Sequence, residues 1–180
     1  MKKVLVLGAV FLLLFAVNVQ AERRSEVKYG GVTGDYWVDL NYINVSDTNF
    51  VYKLNLGSQD SIEGSFTKCD ILIGYAFRGD GEDYQKSPTN ILLSGSRLSP
   101  RSNGFVLNLI TKKYLLDNLY LCGDNELVIW YKKDLDPFVQ FDSAIGFDIN
   151  EKWSFKSGIR WIQTLERGQV GPTFGLETNF

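Results

Sequence analysis

The chain has 180 residues, with 19 basic and 21 acidic side chains and no histidine. A slightly acidic chain lacks the basic face that nucleic-acid binding requires. Without histidine, it also cannot form a Ser-His-Asp or Cys-His centre or the usual zinc sites. We therefore expect a non-enzymatic protein with no catalytic residues, no cofactor, no metal and no nucleic-acid partner.

The N-terminus has the three parts of a secretory signal peptide. Lys2 and Lys3 precede an apolar run over residues 4–17, and Ala21 ends a small-residue cleavage site. The run is shorter than the roughly 20 residues that a membrane-spanning helix needs. We predict cleavage of residues 1–21, which leaves 22–180 as a single domain with a more negative net charge.

Beyond Ala21 the hydrophobic pattern has a period of two, which is typical of β-strands. Eight segments show it clearly: 35–43, 50–56, 69–77, 104–111, 126–132, 139–149, 153–161 and 174–180. Two weaker segments, 90–98 and 114–121, raise the possible count to ten. Turn sequences such as VSDT, SQDS, CGDN and INEK separate the strands. Either count is even and allows a closed ring of antiparallel strands.

The two faces of these strands differ in composition. One face is large, apolar and rich in aromatic residues, whereas the other mixes Gly, Ala and Ser with charged side chains. Transmembrane barrels turn an apolar face to lipid and a polar face inward, and the sheet must close so that every backbone group is paired. We predict an all-β, closed antiparallel transmembrane β-barrel of eight to ten strands with up-and-down topology. A soluble secreted barrel, with polar faces outward and an apolar ligand inside, is the alternative.

The spacing of two tryptophans fits a membrane barrel. Trp153 and Trp161 lie eight residues apart on one face, which corresponds to about 26 Å along a strand. With a typical tilt this covers roughly 20 Å of the membrane normal, close to the apolar band of about 25 Å between aromatic girdles. The predicted girdle residues are Tyr36, Tyr42, Tyr75, Phe77, Trp153 and Trp161.

The polar face supplies the candidate functional residues. The predicted lumen-facing charges are Asp39, Lys53, Asp70, Arg78, Glu126, Lys132, Asp142, Asp148, Lys156, Arg160 and Glu177. A narrow barrel has room for little besides side chains, and unpaired buried charges are costly. We therefore expect these nearly balanced charges to pair into a plugged core. A narrow channel or small-molecule carrier lined by Asp39, Lys53, Arg78, Glu126, Lys156 and Arg160 is the alternative.

The signal peptide, the hairpin GFDINEKWSFKSGIRW with its turn at Asn150 and Glu151, and the terminal Phe180 carry a family resemblance. In these features the chain resembles the small outer-membrane β-barrel proteins of Gram-negative bacteria. The resemblance implies an outer-membrane location, with Phe180 as the signal read by the barrel-assembly machinery. It also implies lipid and lipopolysaccharide as surroundings, a monomer, and a structural or surface-contact role.

With both termini in the periplasm, the turn at Asn150 and Glu151 is expected to be periplasmic. The loops at 45–48, 78–87, 133–137 and 165–171 are then expected to be extracellular and to carry the surface contacts. Cys69 and Cys122 fit no metal motif. They could pair in an oxidising compartment or remain two small apolar residues, and both alternatives are open.

Overall fold

The structure is a computed structural model that describes residues 22–32, 35–60, 66–78, 89–100 and 102–179. The strands are β1 (Glu22–Val32), β2 (Asp35–Val45), β3 (Phe50–Asp60), β4 (Phe66–Arg78), β5 (Thr89–Leu98), β6 (Gly104–Leu116), β7 (Leu119–Trp130), β8 (Phe138–Asp148), β9 (Trp153–Gln163) and β10 (Gly168–Asn179). The predicted signal peptide and Phe180 lie outside the described residues. Within these residues, no helix is long and apolar enough to cross a membrane.

Each strand pairs antiparallel with its neighbours in sequence, and β1 pairs with β10 to close the barrel. The closing register runs from Arg24 opposite Asn179 to Gly30 opposite Thr173. It stops beside Pro172, which has no N–H to donate to a neighbouring strand. The predicted closed up-and-down barrel is confirmed, with ten strands.

Two details of the predicted strand pattern are wrong. Strand β1 was not predicted, because its sequence ERRSEVKYGGV is rich in charges and ends near two glycines. The segment 114–121 is not a strand of its own. Strand β6 extends to Leu116 and β7 begins at Leu119, so this segment is the apex of the β6–β7 hairpin.

The barrel has a terminal end, where Glu22 and Asn179 lie, and an opposite end, which we call the far end. The connections β2–β3, β4–β5, β6–β7 and β8–β9 are at the terminal end, and the other five are at the far end. The predicted loops 133–137 and 165–171 lie on far-end connections. The loop 45–48 belongs instead to the terminal end, because the unpredicted strand β1 reverses the direction assigned to the early strands. Of the predicted loop 78–87, Arg78 ends β4 at the terminal end, and residues 79–87 lie outside the described residues.

Side chains alternate between a charged interior and an apolar exterior. Along β8 and β9, for example, Asp142 and Arg160 are buried, whereas Ile145 and Ile159 are more than half exposed. This arrangement is the opposite of the one that the soluble alternative requires, in which apolar side chains fill the interior. An exposed apolar belt around a closed sheet is the arrangement of membrane barrels.

Candidate functional site: the charged lumen

Alternation along ten strands places one set of charged side chains inside the barrel, where they are largely shielded from solvent. Burial of a charge is tolerated only with partners of opposite charge and hydrogen bonds. The buried charged residues are Glu26, Lys28, Asp39, Lys53, Asp70, Arg97, Glu126, Asp142, Arg160 and Glu177.

Arg97 on β5 forms the first of two arginine clusters. Its guanidinium donates to both carboxylate oxygens of Asp70 at 2.7 Å and to Glu126 Oε2 at 2.7 Å. The ring of Phe138 covers it, with 5.3 Å between Arg97 Cζ and the ring centroid. Such planar, bidentate pairing is the strong form of an ion pair. The cluster ties β4 and β5 to β7.

Arg160 on β9 forms the second cluster in the same way. It donates to both oxygens of Asp142 at 2.7 Å, and its third nitrogen lies 2.7 Å from Asp39 Oδ2. Its guanidinium lies 5.2 Å from the ring centroid of the buried Trp37. The cluster therefore ties β8 and β9 to β2.

Lys68 joins the two clusters across the lumen. Its ammonium lies 3.4 Å from Asp39 Oδ1 and 3.9 Å from Glu126 Oε2. In a ring of ten strands, β2 and β7 are five strands apart and face each other, so this lysine links opposite walls. We call the linked set the far-end network; it consists of Asp39, Lys68, Asp70, Arg97, Glu126, Asp142 and Arg160.

A second set of ion pairs crosses the middle of the lumen around Asp124. Lys28 from β1 and Lys53 from β3 approach this carboxylate at 2.9 Å and 3.0 Å. The amide of Asn108 donates to it at 2.6 Å. Lys28 also lies 3.4 Å from Asp142, so the middle set and the far-end network are continuous.

The terminal half of the lumen has a third set around Lys156. Its ammonium is 2.6 Å from Glu177 and 2.9 Å from Glu26. Lys112 lies 3.8 Å from Glu177 and 4.0 Å from the ring centroid of Tyr120. These contacts extend the paired charges from the far-end network toward the chain termini.

Part of the lumen wall is apolar. A buried cluster on β2–β7 comprises Ile43, Val45, Val51, Leu72, Ala76, Ile91, Leu93, Val106 and Val128. The alternation had placed Val51, Leu72 and Val128 on the face with the charges, where the structure also has them. The interior of this barrel is therefore part ion-paired and part hydrophobic.

A cavity lies between the apolar wall and the charged wall. Ile43, Ile91 and Ile110 line one side, and Lys112 and Lys156 are among the charged groups on the other. It leaves about 50 Å³ of room, far below the roughly 300–1,000 Å³ of small-molecule pockets. The space suits a few water molecules, which also fits the buried Glu177 Oε1, an atom without a hydrogen-bond partner among the described residues.

The predicted lumen residues fall into three places. Asp39, Lys53, Asp70, Glu126, Asp142, Lys156, Arg160 and Glu177 lie inside the barrel in the ion-paired sets. Asp148 and Arg78 end β8 and β4 at the terminal end, and both are half-buried. There Asp148 accepts hydrogen bonds from Tyr114 at 2.9 Å and Ser154 at 2.6 Å.

The assignment of Lys132 to the lumen is wrong. Strand β7 ends at Trp130, and the chain turns away from the sheet before the alternation can bring Lys132 inside. Its side chain is 58% exposed, and its ammonium lies 2.9 Å from Asp134 Oδ2 in the same far-end turn. The hydrogen bond from Lys132 lowers the pKa of the exposed Asp134 carboxyl.

Sequence reasoning missed seven charged residues of the lumen: Arg24, Glu26, Lys28, Lys68, Arg97, Lys112 and Asp124. Arg24, Glu26 and Lys28 lie on β1, which was not predicted. Lys68 and Asp124 lie two residues before Asp70 and Glu126, so extending the same alternation by one step toward the N-terminus would have found both.

Five of the six predicted girdle residues are exposed on the outside: Tyr36, Tyr75, Phe77, Trp153 and Trp161 are between 41% and 54% exposed. Trp153 begins β9 at the terminal end, and Trp161 lies toward the far end. Tyr42 differs, with only 3% exposed. Its neighbour Ile43 lines the lumen, so Tyr42 lies on the outer face, where the ring of Tyr52 on β3 covers it with 6.0 Å between centroids.

The two cysteines are unpaired in the structure. Cys122 lines the lumen cavity. Cys69 alternates with the buried Asp70 and therefore faces the outside of β4. Side chains on opposite faces of the barrel wall cannot meet in a disulfide. Among the described residues, no group of acidic or cysteine side chains has a metal-binding arrangement.

No protein-family profile matches the chain, and no curated protein matches it. Solved structures of outer-membrane barrels do match it in fold. The NanC porin aligns with a TM-score of 0.57 and 8% identity, covering 88% of this chain and 98% of that one. The translocator domain of the autotransporter NalP from Neisseria meningitidis aligns with a TM-score of 0.50 and 9% identity, covering 99% and 95%. At such identities the likeness concerns the fold, and the predicted resemblance to outer-membrane β-barrels is confirmed.

Proposed function

We propose that this chain is a non-conducting, non-enzymatic outer-membrane protein of a Gram-negative bacterium with a structural or surface-contact role. The far-end network carries the proposal. Ion pairs at 2.7 Å hold two arginines, and Lys68 bridges walls that face each other. A lumen crossed in this way has no free path for solutes, whereas selective pores usually present rings of one charge sign.

The exterior supports the location. Exposed aliphatic and aromatic side chains surround the barrel, and Trp153 and Trp161 lie toward opposite ends of β9. With the termini in the periplasm, the far end faces outward and presents the turn at 131–137 and the turn at 164–167. We expect a monomer surrounded by lipid and lipopolysaccharide, with Phe180 read by the assembly machinery after removal of residues 1–21.

Orientation can be tested by labelling single cysteines in a Cys69→Ser, Cys122→Ser background. Asp134→Cys lies in an exposed far-end turn, and Glu151→Cys lies in an exposed terminal-end turn. On intact cells, a membrane-impermeant maleimide should label only Asp134→Cys; after cell disruption it should label both. Labelling of Glu151→Cys alone on intact cells would reverse the proposed orientation.

Conductance tests the closed lumen. Wild-type protein, shown to be folded by a boiling-dependent shift on a detergent gel, is added to planar bilayers in KCl. We expect no current above the lipid baseline at a protein load at which an open porin gives clear steps. Reproducible steps from the folded wild type would disprove the closed lumen.

A narrow channel is the second candidate, because one structural neighbour is named a porin. Its lining would be Asp39, Lys53, Arg78, Glu126, Lys156 and Arg160, several of which are members of ion-paired sets. Conduction would require those pairs to separate, so currents in this case should appear only at high voltage or high salt. The same bilayer experiment distinguishes the two candidates.

A further inference from the structure

Lys68 is the most loosely held cation of the far-end network. Arg97 and Arg160 make contacts of 2.7 Å with their carboxylates, whereas the ammonium of Lys68 lies 3.4 Å from Asp39 and 3.9 Å from Glu126. A lysine is a point charge on a flexible four-carbon stem, without the planar fork that fixes an arginine. Lys68 can therefore leave its position at lower cost than either arginine.

The stem of Lys68 lies in a gap left by Gly57. Gly57 is opposite Asp39 on β2 and opposite Lys68 on β4. A Cβ at this position would meet Asp39 Oδ1 first, and it would lie 2.5 Å from Lys68 Cε and 2.9 Å from Lys68 Cγ. The gap thus holds the lysine stem across the inner wall of β3, between its own strand and Asp39.

The charges around Lys68 are unevenly matched. Each arginine faces two carboxylates. Lys28 lies 3.4 Å from Asp142 and Lys53 lies 4.0 Å from Glu126, but both lysines are shared with Asp124. Without Lys68, these carboxylates therefore outnumber their cations by one. The ammonium of Lys68 is placed between the two arginine clusters, near one carboxylate from each cluster. Without it, Asp39 would keep only Arg160, and Glu126 would keep Arg97 and the more distant Lys53.

The space beneath the network is already partly open. The cavity in the lumen is lined by Asp142, a member of the network, and by Asp124 and Lys28 below it. Lys68 itself lies near the far-end start of β4, so its stem can swing toward the mouth. Lys68 therefore lies on the far-end side of this cavity, within the network that borders it.

We propose that Lys68 is a movable stopper. When its ammonium withdraws toward the far end, Asp39 and Glu126 border a passage that admits monovalent cations and disfavours anions. This inference rests on the proposed closed lumen and names the residue that controls it. In the resting state the tethered ammonium occupies the position that a passing cation would take.

The test compares Lys68→Met with wild type in planar bilayers under a KCl gradient. Lys68→Met keeps the length of the stem but removes the charge, so we expect currents where wild type has none, with a reversal potential shifted toward that of K⁺. Lys68→Arg should remain silent because it restores a cation between the carboxylates. Lys132→Met removes an exposed lysine of the same end and should also remain silent.

Gly57→Ala is the second variant, because it keeps the charge of Lys68 but removes the gap in which the stem lies. It too should conduct cations, and each variant must show the folded gel shift before its current is read. A folded Lys68→Met that is as silent as wild type overturns the stopper. Currents in wild type would overturn the closed lumen instead; the stopper would then stand only if Lys68→Met raised the preference for K⁺ over Cl⁻.

Discussion

The far-end network and the apolar cluster of the lumen are buried to a similar degree but depend on different forces. Arg97 and Asp70 are almost fully buried and hold each other by charge and hydrogen bonds, and Leu72 and Leu93 are as deeply buried by close packing. A buried ion pair offsets its own desolvation and adds little net stability, yet removal of one partner leaves an uncompensated charge. Apolar packing contributes net stability, and its loss leaves a cavity. The comparison teaches that the far-end network determines which side chains meet, whereas the apolar cluster contributes more of the free energy of folding.

The largest expected effect comes from removing one charge of the far-end network. Arg97→Met leaves Asp70 buried without its counter-charge and leaves Glu126 with only Lys53 and Lys68 at 4.0 Å and 3.9 Å, so we expect the free energy of unfolding to fall by about 3–5 kcal/mol. Urea unfolding in lipid vesicles, followed by tryptophan fluorescence, measures it. Adding Asp70→Asn and Glu126→Gln should restore part of the loss, since the stranded charges are then gone.

The exposed pair of Lys132 and Asp134 is the matched control for that variant. An ion pair on the exposed surface contributes little net stability, because water and salt screen it, so Lys132→Met should leave the unfolding midpoint nearly unchanged. If Arg97→Met were as mild as Lys132→Met, the far-end network would not be held by charge.

The apolar cluster is tested by substituting two adjacent residues of β5 whose side chains point to opposite faces of the sheet. Leu93 is buried in the lumen and Leu92 is half exposed on the outside. Leu93→Ala should lower the free energy of unfolding by about 2–5 kcal/mol, because it opens a cavity in packed surroundings. Leu92→Ala should cost clearly less in the same vesicle assay. Equal losses would mean that the interior is not packed as the structure has it.

A smaller loss of stability is expected from crowding a tight contact inside the barrel near the terminal end. Tyr120 lies over Gly146, and a Cβ at Gly146 would meet the Tyr120 ring Cζ at an impossibly short distance. Gly146→Ala should displace the ring and cost about 1–3 kcal/mol through overpacking. Gly175→Ala is the control, because its nearest neighbour is the flexible end of Glu26 at 3.2 Å. A Gly146→Ala variant as stable as Gly175→Ala would contradict the tight contact with Tyr120.

The fold followed from the alternation where that pattern is strong. In β8 and β9, residues from Val139 to Trp161 alternate with few exceptions, and their faces match the prediction. Strand β1 was not recognised because Arg23 and Arg24 place charges on both of its faces, which weakens the alternation of apolar and polar residues. The apex of β6 and β7 was misread because Leu115, Leu116 and Leu119 make a turn look like a strand.

The site was predictable only in part, for a related reason. Alternation identifies a face but does not tell where a strand ends, so Lys132 was placed inside and Lys68 was overlooked. Nor does it tell which charges meet, because partners such as Asp39 and Lys68 come from different strands. Arg97 belongs to a strand with a weak pattern, and its role depends on residues of β4 and β7.

The pairing between β1 and β10 is the one long-range connection of a chain whose other strand pairs are neighbours in sequence. Local hairpins form early, whereas bringing the two chain ends together carries the larger loop-closure entropy. A ribosome must therefore finish β10 before the barrel can close. A chain cut short before β10 would keep two open strand edges, which are templates for aggregation. A complete chain and a truncated one therefore differ in whether any strand edge remains unpaired.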